Sequence, residues 1–404
     1  MNHPDHTVTL VDTAEALAAL SERIARAERV GLDTEFHTEK SYTPHLMVIQ
    51  LLFEDGVALV DPLALRDLRP LVAALAGARI VGHALSSDLR IFADAFETLP
   101  RAVFDTQVAA AFAGYGLSIS LLDLVRDLCG VTLRKSQTVS DWSTRPFTPK
   151  QVDYLVDDVR YLFDLEDRLC ERLRARGRES WAQEEMPSLV ELHTYRADPK
   201  RLYLRISGNA RMNRRELGIL NELAQLRDRY ARERNIPLKY VLPDDVMVGL
   251  VALRPKTVDE LSQLRRIDAG TRRNIGERII EAVRRGEALP EEDLPPRAPK
   301  PLGLQREALV STMAVLVSAL GAENELPTTL LLPRAALERI AREAPQTPEA
   351  LGDVVNLTSW RRQLVVEPLW EMLCGTSVLR VQGYRDGDPR TTFERVALSE
   401  TPAG

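Results

Sequence analysis

The sequence predicts an α/β domain built on a mixed sheet, followed by two all-α helical bundles. Three observations lead there. Strand-like apolar segments near the start are joined by connections too short for a crossover, which favours antiparallel pairing. After Pro199 the β signals nearly vanish. A run holding Pro290, Pro295, Pro296, Pro299 and Pro301 then parts two helical blocks of similar length.

Val30 to Phe36, Leu46 to Phe53 and Val57 to Val60 read as strands, the last two joined at Glu54-Asp55-Gly56, a turn signal of the Asp-Gly kind. Ala78 to Gly82 reads as a further strand, ending in Gly-His and running into a helix opened by Ser86-Ser87. Helical periodicity returns over Asp105 to Phe112 and Leu121 to Leu128. At Thr148-Pro149-Lys150-Gln151, Thr148 can cap, Pro149 suits the first helical position and Gln151 completes a capping box. That helix is expected to run to about Arg176 and to stop at Gly177.

The chain therefore divides into an α/β domain over 1–200, a helical domain over 209–289, a stiff proline-rich linker over 290–302, a second helical domain over 303–385 and a polar tail over 386–404. The two helical blocks suggest a diverged pair of modules, although no closely matching repeat is visible.

With 404 residues, 45% hydrophobic and 28% charged, the chain can bury real cores. No apolar run approaches the roughly 18 residues that span a bilayer. Met1 to Leu10 lacks the basic and apolar regions of a secretory signal, so a cytoplasmic protein is expected. Cys129, Cys170 and Cys374 form no CxxC pair, which argues against a disulfide framework and a cysteine zinc site. Net charge is −6, yet residues 209–289 carry 17 Lys+Arg against 12 Asp+Glu. Within that basic segment Arg211, Arg214, Arg215, Arg265, Arg266, Arg272 and Arg273 form a patch suited to phosphates, while singly each suits a solvated helix face. The absence of a coiled-coil heptad leaves a monomer as the expectation.

Asp33 and Glu35 stand two apart in an otherwise apolar strand, so the strand period puts both on one face. A hard cation such as Mg²⁺ or Mn²⁺ would remove their repulsion; taken alone, the pair also suits the solvated face of an edge strand. Asp88 falls in the first turn of a helix just past a strand end, and Tyr154 and Asp158, four apart, share one helix face.

In this order the residues resemble the DEDD 3′→5′ exonuclease superfamily, tyrosine subclass, and within it the ribonuclease D family. Asp33-Thr34-Glu35-Phe36 with Tyr42-x-Pro44-x-Leu46 and Ile49-Gln50-Leu51 is similar to the first exonuclease motif, and His83-Ala84 with Asp88-Leu89 to the second. Phe104-Asp105-Thr106-Gln107, Gly130-Val131-x-Leu133-x-Lys135-Ser136, Asp141-Trp142 and Arg145-Pro146 precede the third, Tyr154 to Asp158. Two departures stand out: Leu85 where the family commonly has Gly, and Leu155-Val156-Asp157 where small residues are usual. Asp153 occupies the position where the histidine subclass would carry its base.

The resemblance implies a ribonuclease H-like fold, two divalent metal ions held by Asp33, Glu35, Asp88 and Asp158, and Tyr154 holding or deprotonating the attacking water. It implies stepwise removal of nucleoside 5′-monophosphates from single-stranded 3′ ends of structured RNA, with tRNA precursors as substrate. His83 would contact substrate or sit as a satisfied core histidine, and Trp142 and Phe36 would stack on bases or, more simply, pack. Leu217, Leu220, Leu223, Leu226-Arg227, Ile236-Pro237, Val241-Leu242-Pro243-Asp244 and Pro255-x-Thr257 resemble the helicase-and-RNase-D C-terminal (HRDC) domain, and the block with Trp360-Arg361 and Leu369-Trp370 looks like a second, weaker copy. Rival readings are an exonuclease acting on DNA and a nucleic-acid-binding protein with a silent nuclease domain; no obligate protein partner is implied.

Overall fold

The computed structural model describes residues 7–37, 41–133, 141–196, 198–297, 301–382 and 392–398. Lys135 and Ser136 of the family pattern, and most of the expected tail, lie outside them.

The N-terminal part runs β1 (Thr7–Val11), α1 (Ala14–Arg26), β2 (Val30–His37), β3 (His45–Phe53), β4 (Gly56–Val60), α2 (Arg69–Gly77), β5 (Arg79–Gly82), α3 (Ser86–Phe96) and β6 (Ala102–Asp105). Sheet order is β1-β4-β3-β2-β5-β6. β2 pairs antiparallel with β3 and parallel with β5, so the sheet is mixed as expected. Val30, Leu32, Val48, Ile49, Leu51, Ile80 and Val81 are all buried, which fixes β2 firmly on both sides. β1, an edge strand with four of five residues exposed, is not among the strands expected from sequence.

Next come α4 (Thr106–Phe112), α5 (Leu121–Cys129), α6 (Pro149–Asp157), α7 (Leu162–Ala175), α8 (Glu179–Glu185) and α9 (Leu192–Tyr195). The Thr148 cap and its reciprocal bond with Gln151 form as expected. The single helix expected from Thr148 to Arg176 does not: α6 ends at Asp157, and the amides of Asp158, Val159 and Arg160 turn back onto Tyr154 and Val156 before α7 begins. No proline or glycine marks the break. Asp157 and Asp158 are poor helix formers, and their adjacent carboxylates repel.

The remaining helices are α10 (Arg214–Arg234), α11 (Leu238–Val241), α12 (Asp244–Leu253), α13 (Ala269–Ala288), α14 (Leu304–Glu323), α15 (Thr328–Leu331), α16 (Arg334–Glu343), α17 (Pro348–Val354) and α18 (Ser359–Cys374). α14, α15, α16 and α18 begin 90 residues after α10, α11, α12 and α13 respectively. The left-handed residues Asn235 and Arg254 recur at the same offset as Glu325 and Ala344. β7 (Ser377–Gln382) and β8 (Thr392–Ala397) then pair antiparallel, where sequence suggested the end of a bundle and a polar tail. Among the described residues no helix is long and apolar enough to cross a membrane.

By contacts the chain forms two compact units. One comprises Met1–Val103, Lys135–Arg160 and Ser188–Pro299; the other Phe104–Arg134, Tyr161–Pro187 and Lys300–Gly404. In the first, Leu217, Leu220 and Leu223 of α10 pack with Met247 and Leu250 of α12 and Ile275 and Ile279 of α13. α10 and α13 approach closely at Gly286, where a Cβ would lie 2.4 Å from the Ile219 Cα. The proline-rich stretch is not a free spacer at its start: Leu294 is buried, and Arg214 donates to the carbonyls of Glu291, Leu294 and Pro295. In the second unit Trp360 is 1% exposed, stacked on Trp181 at 5.4 Å and edge-on to Phe112 at 5.1 Å. Its indole N–H and Arg361 both donate to Glu185.

Candidate active site

β2 delivers Asp33 and Glu35, opposite Gln50 and Val48 of β3. The ladder slips between Glu35 and Phe36, a bulge that bends the strand just past the acidic pair. Thr34, between the two acids and buried, donates its hydroxyl to the carboxylate of Asp88 in the first turn of α3. Asp88 reaches this place because β5 ends at Gly82 alongside β2 and the chain turns into α3 through Ala84 at φ +57°. Leu85, the family departure, folds over Gly82, where a Cβ would lie 2.3 Å from the Leu85 Cδ2. With φ −57° it needs no glycine at its own position.

From α6 come Tyr154 and, in the turn that ends it, Asp158. Ligand oxygens of Asp33, Glu35 and Asp158 lie within 4.8 Å of one another. The Tyr154 hydroxyl donates to Asp158, and its ring rests 5.6 Å from that of Trp142, whose indole N–H bonds Glu35. Gln50 donates to Asp33 at 3.5 Å.

The acids stand in a costly environment. Burial holds Asp33 well above the ordinary carboxylate range, with Asp88, Asp158 and Glu35 adding repulsion. Burial and then Asp88 push Glu35 up to about 7 against the Trp142 hydrogen bond. Burial, Glu35 and Asp157 push Asp158 up to about 8 against the Tyr154 hydrogen bond. The Tyr154 phenol is raised above its already high value by burial and then by Asp158, Glu35 and Asp33. Hard oxygen donors that repel one another in a desolvated cluster fit a divalent cation, whose charge offsets both penalties.

Among the described residues, the carboxylates whose oxygens could share one ion are Asp33, Glu35 and Asp158. His83 is half-buried at the end of β5, and Arg211 is exposed in the short turn Asn209–Arg211. Arg214 and Arg215 are engaged within the first bundle: Arg214 is bound to Glu291 and three carbonyls, Arg215 to the carbonyls of Glu287 and Leu289. Their donors close the first helical bundle. Arg266 pairs with Asp245 and Arg272 donates to the Ile267 carbonyl, while Arg265 and Arg273 are exposed. From sequence, Thr34, Gln50 and Arg145 stand only as parts of the family pattern with no role of their own, and Asp61, which Arg145 bonds, is not singled out at all. The available signal was a polar residue inside or directly after an apolar strand, which holds for Gln50 and Asp61.

A 3′-5′ exonuclease family profile matches residues 8–174, and an HRDC profile matches 216–283. Ribonuclease D of Granulibacter bethesdensis is 35% identical, covering 93% of this chain and 95% of that protein. Ribonuclease D of Nitrobacter hamburgensis is 33% identical over 93% and 98%. The crystal structure of Escherichia coli RNase D, an exoribonuclease involved in structured RNA processing, superposes with a TM-score of 0.76 at 29% identity, covering 91% of this chain and 99% of that one. The exonuclease fold implies divalent metal ions, and the family together with the HRDC domain implies RNA binding. Because the likeness spans both the domain that gathers the carboxylates and the helices that follow it, this chain belongs to the ribonuclease D family and is a 3′→5′ exoribonuclease.

Proposed function

We propose that the enzyme trims single-stranded 3′ ends of structured RNA, tRNA precursors among them, to nucleoside 5′-monophosphates, as a member of the tyrosine subclass. The observation that carries this reading is the gathering of Asp33, Glu35 and Asp158 within 4.8 Å, with Asp88 adjoining and Tyr154 bonded to Asp158.

Asp33, Glu35, Asp88 and Asp158 would hold two divalent cations, Mg²⁺ or Mn²⁺. Such ions, when bound, provide a nucleophile at neutral pH and offset charge on the attacking and leaving oxygens. A phenol raised above its ordinary value is a poor base, so Tyr154 orients the attacking water through its hydroxyl. Its ring is steadied by Trp142.

Residues 303–385 serve as a second HRDC-like bundle, a reading supported by the constant 90-residue offset of its helices from those of the first. Both bundles position the RNA, and the exposed Arg211, Arg265 and Arg273 meet phosphates. A cytoplasmic location, which fits the ribonuclease D relatives, and a monomeric state complete this reading.

Matched 3′-tailed RNA and DNA hairpins, incubated with Mg²⁺, Mn²⁺ or EDTA beside Asp33→Asn protein, test it. Stepwise RNA shortening to mononucleotides that EDTA and the substitution abolish is the expected result. DNA loss as fast as RNA loss, or trimming by the Asp33→Asn protein, would overturn it.

A further inference from the structure

Trp142 touches two parts of the site that come from different elements. Its indole N–H bonds the Glu35 carboxylate of β2, and its ring lies 5.6 Å from the Tyr154 ring of α6, tilted by 35°. The side chain is 4% exposed, so the carboxylate and the phenol are both held from inside the protein.

Trp142 belongs to a stretch without regular secondary structure, and a single guanidinium ties that stretch to the sheet. Arg145 donates through Nη1 to the carbonyls of Trp142 at 2.7 Å and Thr144 at 2.9 Å. Through Nη2 it reaches the Met47 carbonyl of β3 at 2.8 Å and the Asp61 carboxylate at 2.8 Å, and through Nε the other Asp61 oxygen at 2.6 Å. Asp61, buried just past β4, is itself steadied by the Leu63 amide at 2.9 Å. The Phe147 ring packs beneath the guanidinium at 3.9 Å. A bidentate fork with every arm satisfied fixes both position and angle, which a lysine does not reproduce.

We infer that Trp142 is a positioning residue for the hydrolytic reaction, aiming the Glu35 carboxylate and the Tyr154 hydroxyl together, and that Arg145 clamped on Asp61 is the anchor that holds it there. One Glu35 oxygen occupied by the indole N–H turns the other toward the cluster; groups that orient a metal-binding side chain in this way change affinity or activity by roughly 10–100-fold when removed. Trp142→Phe keeps an aromatic ring against Tyr154 and removes only the donor. Arg145→Lys keeps the charge and removes the fork.

The inference rests on the proposed roles of Glu35 and Tyr154, so Glu35→Gln is measured alongside. The experiment compares kcat and KM on a 3′-tailed RNA, Mn²⁺ binding to the full-length protein followed by the free-ion paramagnetic resonance signal, and melting temperature. Both Trp142→Phe and Arg145→Lys are expected to lower kcat and weaken Mn²⁺ binding by roughly 10–100-fold, with KM for RNA and melting little changed in Trp142→Phe. Wild-type Mn²⁺ binding and kcat in Trp142→Phe, beside an inactive Glu35→Gln, would overturn this inference and leave the site intact. An active Glu35→Gln would overturn both. A loss of melting temperature with unaltered Mn²⁺ binding reduces Trp142 to packing and also overturns it.

Discussion

The Tyr42 hydroxyl donates to the Asp228 carboxylate at 2.7 Å, tying the stretch after β2 to the middle of α10. Arg232 bonds the same carboxylate at 3.0 Å with its guanidinium 4.7 Å from the Tyr42 ring, and the Thr43 amide donates to Asn235 at 2.9 Å. The strand that presents Asp33 and Glu35 is thereby fastened to the first helical module. Tyr42→Phe keeps the ring against that module's core and loses the bond to a charged acceptor, so it should destabilise the protein by about 1–2 kcal/mol. Urea unfolding midpoints of the two proteins measure this.

Tyr154→Phe removes one oxygen and preserves the contact with Trp142. We expect kcat to fall roughly 10²–10⁴-fold with KM for RNA nearly constant, because the lost hydroxyl orients water and binds no substrate. Steady-state kinetics on a 3′-tailed RNA decide; a rise in KM at constant kcat would assign the phenol to RNA binding.

Without cations, the folded state holds protons on Glu35 and Asp158 more tightly than the unfolded chain does. A raised pKa gives stability that is complete below the unfolded value and is lost as pH climbs through about 7 for Glu35 and about 8 for Asp158. EDTA-treated enzyme should therefore weaken steadily from about pH 4.5 to about pH 8. Glu35→Gln should weaken less over that interval, ending more stable than wild type at about pH 8 by about 1 kcal/mol once solvent screening is allowed for, although inactive. Melting curves across this interval in EDTA, superposable for the two proteins, would contradict the clash of charges.

A methyl group has no room at the crossing of α10 and α13. Gly286→Ala would bring a Cβ to 2.4 Å from Ile219 Cα and 2.8 Å from its nitrogen, backbone atoms that yield only if the helices part. A loss of about 1–3 kcal/mol is expected, read from thermal or urea unfolding.

Local physics made much of this molecule legible. β2 to β5 are buried apolar runs, and the cap of α6 is a four-residue signal that forms as written. The acidic cluster was legible from spacing joined to family likeness. The break after Asp157 was not, since it lies in a segment whose helical pattern continues on both sides. β7 and β8 were hidden because their apolar pairs, Val378 with Val396 and Val381 with Phe393, flank the pairs Leu379–Arg395 and Arg380–Glu394 and acquire meaning only across the hairpin. Arg214 and Arg215 looked like a solvent-facing basic patch because their carbonyl acceptors lie 72 to 81 positions away. Trp142 read as packing, and no spacing rule reveals which carboxylate an indole N–H will meet.

A protease cut inside the proline-rich stretch would not set the C-terminal fragment adrift. Its Trp360 is clasped between Phe112 and Trp181, and Trp360 and Arg361 together grip Glu185, all three partners lying on the upstream side of the cut. The two pieces should migrate together on a sizing column and separate only in denaturant, held by a shared indole where the peptide bond no longer joins them.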